Sequence, residues 1–86
     1  MQEREFGDAV ARHELGDLDG AEALYRAILE AQPAHAGARA NLGHLLLRRG
    51  ERDAAIAQYR EAIATGAAPA EAHAGLARAV AEGGEA

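Results

Sequence analysis

Four imidazoles, one aliphatic hydroxyl and a single kind of base make up the reactive inventory of this chain. The histidines are His13, His35, His44 and His73; Thr65 is the sole Ser, Thr or Cys, and all nine basic residues are Arg. No two histidines stand at i, i+3 or i+4 spacing, and they fall on different elements, so no zinc-like cluster and no metal is expected. Only His44 and His73 are placed to approach each other, across adjacent helices, and two ligands make a weak site. Thr65 precedes Gly66 at a helix end, a loop residue's place rather than a nucleophile's. Without Cys there is no thiolate nucleophile and no disulfide. The carboxylates are spread over exposed faces, and the ten glycines punctuate turns or sit within helices instead of forming a phosphate loop. The expectation is therefore no enzyme, no catalytic residue and no cofactor.

The elements that carry these residues must be helices built largely of alanine. The chain has 86 residues, of which 24 are Ala and 18 are larger apolar types. Its net charge is −5 with no basic block, which argues against nucleic acid as a partner. No run approaches about 18 apolar residues, so no membrane span is expected. No charged-then-apolar start reads as a signal peptide, which favours the cytoplasm.

A shift of 34 residues lays the chain on itself. Gly16, Gly50 and Gly84 coincide, as do Ala21 with Ala55, Tyr25 with Tyr59 and Arg26 with Arg60. Leu42 falls on Leu76, Leu46 on Val80, Ala38 on Ala72 and Leu29 on Ile63. Each unit reads as two helices. Ala21, Leu24, Tyr25, Ile28 and Leu29 mark one helical face, as do Ala38, Leu42, Leu45 and Leu46. Asp19 and Glu22 have capping-box spacing, Asp53 stands as an N-cap before Ile56, Tyr59, Ala62 and Ile63, and Pro69 suits the first residue of a fifth helix. No segment alternates with period two. The predicted helices run 2–15, 19–32, 35–49, 53–65 and 69–82.

A 34-residue helix–turn–helix unit with this signature resembles the tetratricopeptide repeat. Ala9, Gly43 and Ala77 match the small residue of the family's first helix, and Gly16, Gly50 and Gly84 its turn glycine. Ala21 and Ala55 match the alanine of its second helix, Tyr25 and Tyr59 the aromatic, and Pro33 the closing proline. Ala67 stands where the second unit should have that proline, with Pro69 two residues later. Asp8 and Arg12 replace large apolar residues, and Ile28 stands where Ala62 shows the usual alanine. The resemblance implies one all-α domain over residues 1–86, a right-handed α-solenoid of five helices. Repeat 1 would cover about 2–35, repeat 2 about 36–69, and a C-terminal capping helix about 70–82. Neither hairpin has the apolar surface to stand alone, so stability is shared across interfaces. Gly43 and Ala77 are expected at helix crossings, and Tyr25 and Tyr59 as core wedges with hydroxyls at the rim.

In that family the first helices of successive units line a concave groove for a peptide or a partner surface. The resemblance places Phe6, Val10 and His13 there from the first unit, Asn41, His44 and Arg48 from the second, and Arg78 from the third. Val10, His44 and Arg78 are equivalent positions and should form a row. A mixed apolar, imidazole and guanidinium row suits an extended segment carrying a carboxylate; the alternative is a solvated face. The family's carboxylate clamp is not reproduced. Asn41 matches its central Asn, but Phe6, Val10, Glu71 and Gly75 stand at its other positions, so the C-terminal tails of large chaperones are not the expected ligand.

The fifth helix lacks its partner. Leu76 and Ala72 should pack back on the second unit, while Ala77 and Val80 face outward, either as a tolerable cap or as an edge that associates weakly with a second copy or a following domain. The expected function is a non-catalytic interaction module for a protein or peptide. The alternatives are a self-assembling unit and the interaction segment of a larger bacterial enzyme such as a transferase, since similar repeats often flank such domains.

Overall fold

The computed structural model describes residues 2–83, and side chains from Arg4 onward. Five helices follow one another: α1 (Gln2–Leu15), α2 (Leu18–Ala31), α3 (Ala36–Arg48), α4 (Arg52–Ala64) and α5 (Ala70–Gly83). Every boundary lies within one residue of the predicted one, and no strand occurs among the described residues. Gly84, the third repeat-spaced glycine, lies outside the described residues.

The turns explain where the helices stop. Gly16 and Gly50 adopt φ of 89° and 82°, a conformation that costs any residue with a Cβ. Each closes the same motif: Asp17 N–H donates to Arg12 O and Glu51 N–H to Leu46 O, both at 2.9 Å, which satisfies an orphan carbonyl of the ended helix. The new helix then starts at once. The N-cap of α2 is consequently Asp17, not Asp19: its carboxylate accepts from Gly20 N–H at 3.1 Å and from Arg12 at 3.0 Å. Those two donors hold the Asp17 carboxyl below its ordinary value. Asp19, in the first turn of α2, pairs instead with Arg49, the C-cap of α3. Asp53 likewise lies inside α4, whose N-cap position is Glu51, with no side-chain cap bond. Pro69 stands just before α5, its carbonyl accepting from Ala72 N–H at 2.9 Å.

Adjacent helices pack as antiparallel hairpins. In addition α1 touches α3 and α3 touches α5, whereas α2 and α4 do not meet. The stack is therefore tight on the side of the odd-numbered helices and splayed on the other. Small residues set the close approaches. Ala9, Ala21, Ala38, Ala55, Ala62, Ala72 and Ala79 are fully buried around Tyr25, Ile28, Leu42, Leu45 and Tyr59.

The crossing positions divide. A Cβ on Gly43 would stand 2.8 Å from Tyr59 Cε1, so Gly43 does sit at a crossing. Ala77 does not; it is exposed, and no described helix packs on it. The close approach on α5 is Gly75, where a Cβ would come within 2.5 Å of Tyr59 Cζ. The face that α5 buries is Ala72, Gly75 and Ala79, with Leu76 only half-buried against the core and Val80 44% exposed.

Candidate functional site

The site grows from the two tyrosine wedges. Both rings are 0% exposed, and each hydroxyl ends on an imidazole: Tyr25 Oη lies 3.1 Å from His13 Nδ1 and Tyr59 Oη 2.5 Å from His44 Nδ1. The hydroxyls are thus held inside by histidines rather than left at a wet rim. Each bond uses one ring nitrogen. Among the described residues no hydrogen bond reaches either Nε2, and no buried side-chain nitrogen or oxygen lacks a partner. Both Nε2 atoms therefore face solvent.

The predicted groove residues are largely brought together. Val10, His13, Asn41, His44 and Arg48 line one cleft of about 330 Å³ between α1 and α3, with Glu14 and the edge of Tyr25. His44 and Arg48 also line the next depression, about 320 Å³, with Leu47, Arg78 and Glu82. One continuous face therefore crosses α1, α3 and α5. Arg48 braces it by donating to His13 O at 3.0 Å, in the last turn of α1, where carbonyls lack a partner further along the helix. Arg78 reaches Glu82 at 3.4 Å along its own helix. Phe6 is not in the cleft: it is half-buried, its ring 4.9 Å from that of His35 and 6.3 Å from that of Tyr25. The imidazole that shares the cleft with His44 is His13, and His73 is exposed on α5.

Sequence reasoning missed Glu14 and Glu82, though the signal was available. They are the 34-residue equivalents of Arg48, so one row reads Glu14, Arg48, Glu82 across the three odd helices. It also missed His35, which caps α3 by accepting from Ala38 N–H at 3.0 Å through Nδ1. An imidazole cap has no simple sequence signature.

Electrostatics follow from burial. Desolvation pushes the His13 imidazole below its ordinary value; Arg48 and His44 push the same way, against Glu14. Desolvation also lowers His44, opposed by Glu71 and aided by Arg78. Burial raises both tyrosine hydroxyls to about 12, opposed at Tyr25 by the neighbouring Asn41 side chain and at Tyr59 by Arg78.

Elsewhere the chemistry is structural. The Thr65 hydroxyl donates to Ala62 O at 2.7 Å and accepts from Ala67 N–H at 3.1 Å, so it is spent on the end of α4. Among the described residues no three His, Cys, Asp or Glu side chains gather as metal ligands. A wider cleft of about 510 Å³ opens on the splayed side, between α2 and α4. Across it Arg39 of α3, its side chain 17% exposed, binds Pro33 O, Gln58 and Glu61. No described helix is long and apolar enough to cross a membrane.

Stacked helical hairpins whose odd-numbered members form a tight, cleft-bearing face define an α-solenoid of the interaction type. A family model for the tetratricopeptide repeat matches residues 12–79. The chain belongs to the tetratricopeptide repeat family, whose repeats generally mediate contacts between proteins. A comparison with curated proteins found no match.

Proposed function

We propose that this protein is a non-catalytic interaction module that holds an extended peptide or partner segment along the face of α1, α3 and α5. One observation carries the reading: Val10, His13, Asn41, His44 and Arg48 line a single cleft that continues to Arg78. The cleft offers apolar, amide, imidazole and guanidinium groups within a few ångströms, a mixture that reads backbone and side chains of a bound strand. Cytoplasmic location belongs to the same proposal. The test is affinity capture from the source organism with the wild-type chain and with Asn41→Asp/Arg48→Glu, each checked for unchanged helicity. Proteins retained by the wild type and lost from the variant support the reading; identical retention overturns it.

A second reading, self-association through the open edge of α5, is favoured by the exposure of Val80 and Ala77. A single large apolar residue on that strip supports weak association only. Sedimentation equilibrium across a wide concentration range separates the two readings: a strict monomer removes the second.

A further inference from the structure

The cleft between α1 and α3 holds a charge balance that its two imidazoles decide. Its own lining carries Arg48 against Glu14; the next depression, which shares His44 and Arg48, adds Arg78 and Glu82, and Glu71 acts on His44 from α5, so the count runs over the whole face. With both rings neutral the carboxylates outnumber the guanidinium groups by one; with both rings protonated the cations outnumber the carboxylates by one. Among described groups near His13, Arg48, His44 and Glu14 bear on its charge, with Tyr25 on its Nδ1. Near His44 they are Glu71 and Arg78 from α5 and His13 from α1, with Tyr59 on its Nδ1. The tyrosines engage each Nδ1, and each Nε2 keeps contact with solvent on residues that line the cleft.

We propose that this cleft is a proton-coupled carboxylate site, in which His13 and His44 are neutral when it is empty and take up protons as a ligand carboxylate enters beside Arg48. The proposal rests on the groove reading above and adds the chemistry of the bound group and its regulation by pH. The step balances simply. One proton per ring comes from solvent, and in the resulting imidazolium both nitrogens carry hydrogen. Nδ1–H donates to the tyrosine oxygen and Nε2–H donates to the carboxylate. No covalent bond changes. A charge-assisted bond to the carboxylate replaces the repulsion that an empty cationic pair would feel next to Arg48 and Arg78. With both rings neutral, by contrast, an incoming carboxylate meets Arg48 offset by Glu14 in the cleft, with Glu82 and Glu71 on the adjoining face. The expected dependence is tighter binding in acid, by about tenfold per pH unit for each proton fully taken up.

Three probes test this on the full chain: acetyl-Ala-Leu-Ala-Leu with a free C-terminal carboxylate, the same peptide as its amide, and acetyl-Ala-Leu-Glu-Leu-amide. Their carboxylates ionise near pH 4, well below the working range, so both acidic probes are anions throughout. Binding is followed by the imidazole Cε1–H resonances at pH 7.5 and 5.5, with circular dichroism confirming the fold at each. The expected result is a Kd that falls from pH 7.5 to 5.5 for one or both acidic probes. The His13 and His44 titration midpoints should rise in the bound state, while adding ligand at fixed pH leaves the exposed His73 resonance where it was. Which acidic probe responds tells a chain terminus from a side chain. His13→Gln/His44→Gln keeps a partner for each tyrosine hydroxyl and should bind equally at both pH values. Affinity independent of pH in the wild type, tighter binding at pH 7.5, the same response to the amide, or no binding by either acidic probe overturns the proposal. Partner capture that depends on Asn41 and Arg48 but not on pH would leave the groove reading standing without it.

Discussion

Tyr59 is clamped between two glycines, and that clamp predicts the cost of a single methyl group. A Cβ on Gly75 would lie 2.5 Å from Cζ, 2.6 Å from Cε1 and 2.7 Å from Oη of Tyr59. Ordinary carbon contacts are about 3.5–4.0 Å, so the ring or α5 must move by about 1 Å. The ring has nowhere to go. Gly43 of α3 lies under its Cε1, where a Cβ would come within 2.8 Å, and its hydroxyl is tied to His44. Overpacking of this kind costs about 1–3 kcal/mol, and the helix propensity of Ala returns about 1 kcal/mol. Gly75→Ala should therefore lose about 0–2 kcal/mol net, which in a domain of this size lowers Tm by up to roughly 15 °C. Gly7→Ala is the control: its Cβ meets nothing within 4 Å, so Tm should hold or rise. The pairing is checked in a Tyr59→Leu background, where the ring is gone and Gly75→Ala should become neutral or stabilising. A Gly75→Ala protein stabilised as much as Gly7→Ala refutes the clamp, as does an unchanged effect without the ring.

Stability should fall as pH drops below about 6.5, because His13 and His44 are held below their ordinary values and the unfolded chain takes up protons first; urea midpoints from pH 7.5 to 5 should decline, and less steeply in His13→Gln/His44→Gln. At the alkaline end the sign is set by tyrosines raised to about 12: the folded chain keeps protons that the unfolded chain releases near 10, so stability falls across that interval, and tyrosinate absorbance should appear late and together with unfolding. Ala79 is fully buried and its neighbour Val80 is 44% exposed, so Ala79→Glu should melt the last hairpin by burying an unpaired carboxylate. Val80→Glu should leave Tm within a few degrees and remove any concentration-dependent association; equal damage from the two would mean that the faces of α5 are wrongly assigned.

Helices and turns were legible because two independent signals agreed at each boundary. The 34-residue recurrence of Gly16 and Gly50 located the turns, and apolar spacing located the faces between them. The caps were misread for one reason at both turns. Asp19 and Asp53 are equivalent residues, and each was placed at a helix start. The glycine-closed turn is so short that the next helix starts immediately after it, which gives the cap to the residue following Gly16 or Gly50. At Asp17 that residue has a carboxylate of the right reach. At Glu51 the side chain is one methylene longer and makes no cap bond. The capping role of an imidazole at His35 depends on a ring orientation that spacing does not encode. On α5, equivalence with Leu42 singled out Leu76, but the clamp on Tyr59 turns Gly75 and Ala79 inward and leaves Leu76 at the margin.

The candidate site was legible in position and not in connection, because the fold repeats in a register that its polar groups do not follow. Tyr25 and Tyr59 are equivalent, yet their partners are not: the equivalent of His44 is Val10, and that of His13 is Leu47. Each unit supplies an imidazole for its tyrosine, one from the last turn of α1 and the other about a turn earlier on α3. A strictly repeated choice would have given each cleft one histidine at one level. The offset instead puts His13 and His44 on the walls of a single cleft, with Arg48 beside them. The tyrosine wedges thus satisfy their buried hydroxyls and, by the same bonds, aim two imidazoles at one place. Core packing and groove chemistry are joined at those two bonds, so replacing either tyrosine by Phe should disturb the titration of its histidine before it disturbs the stack.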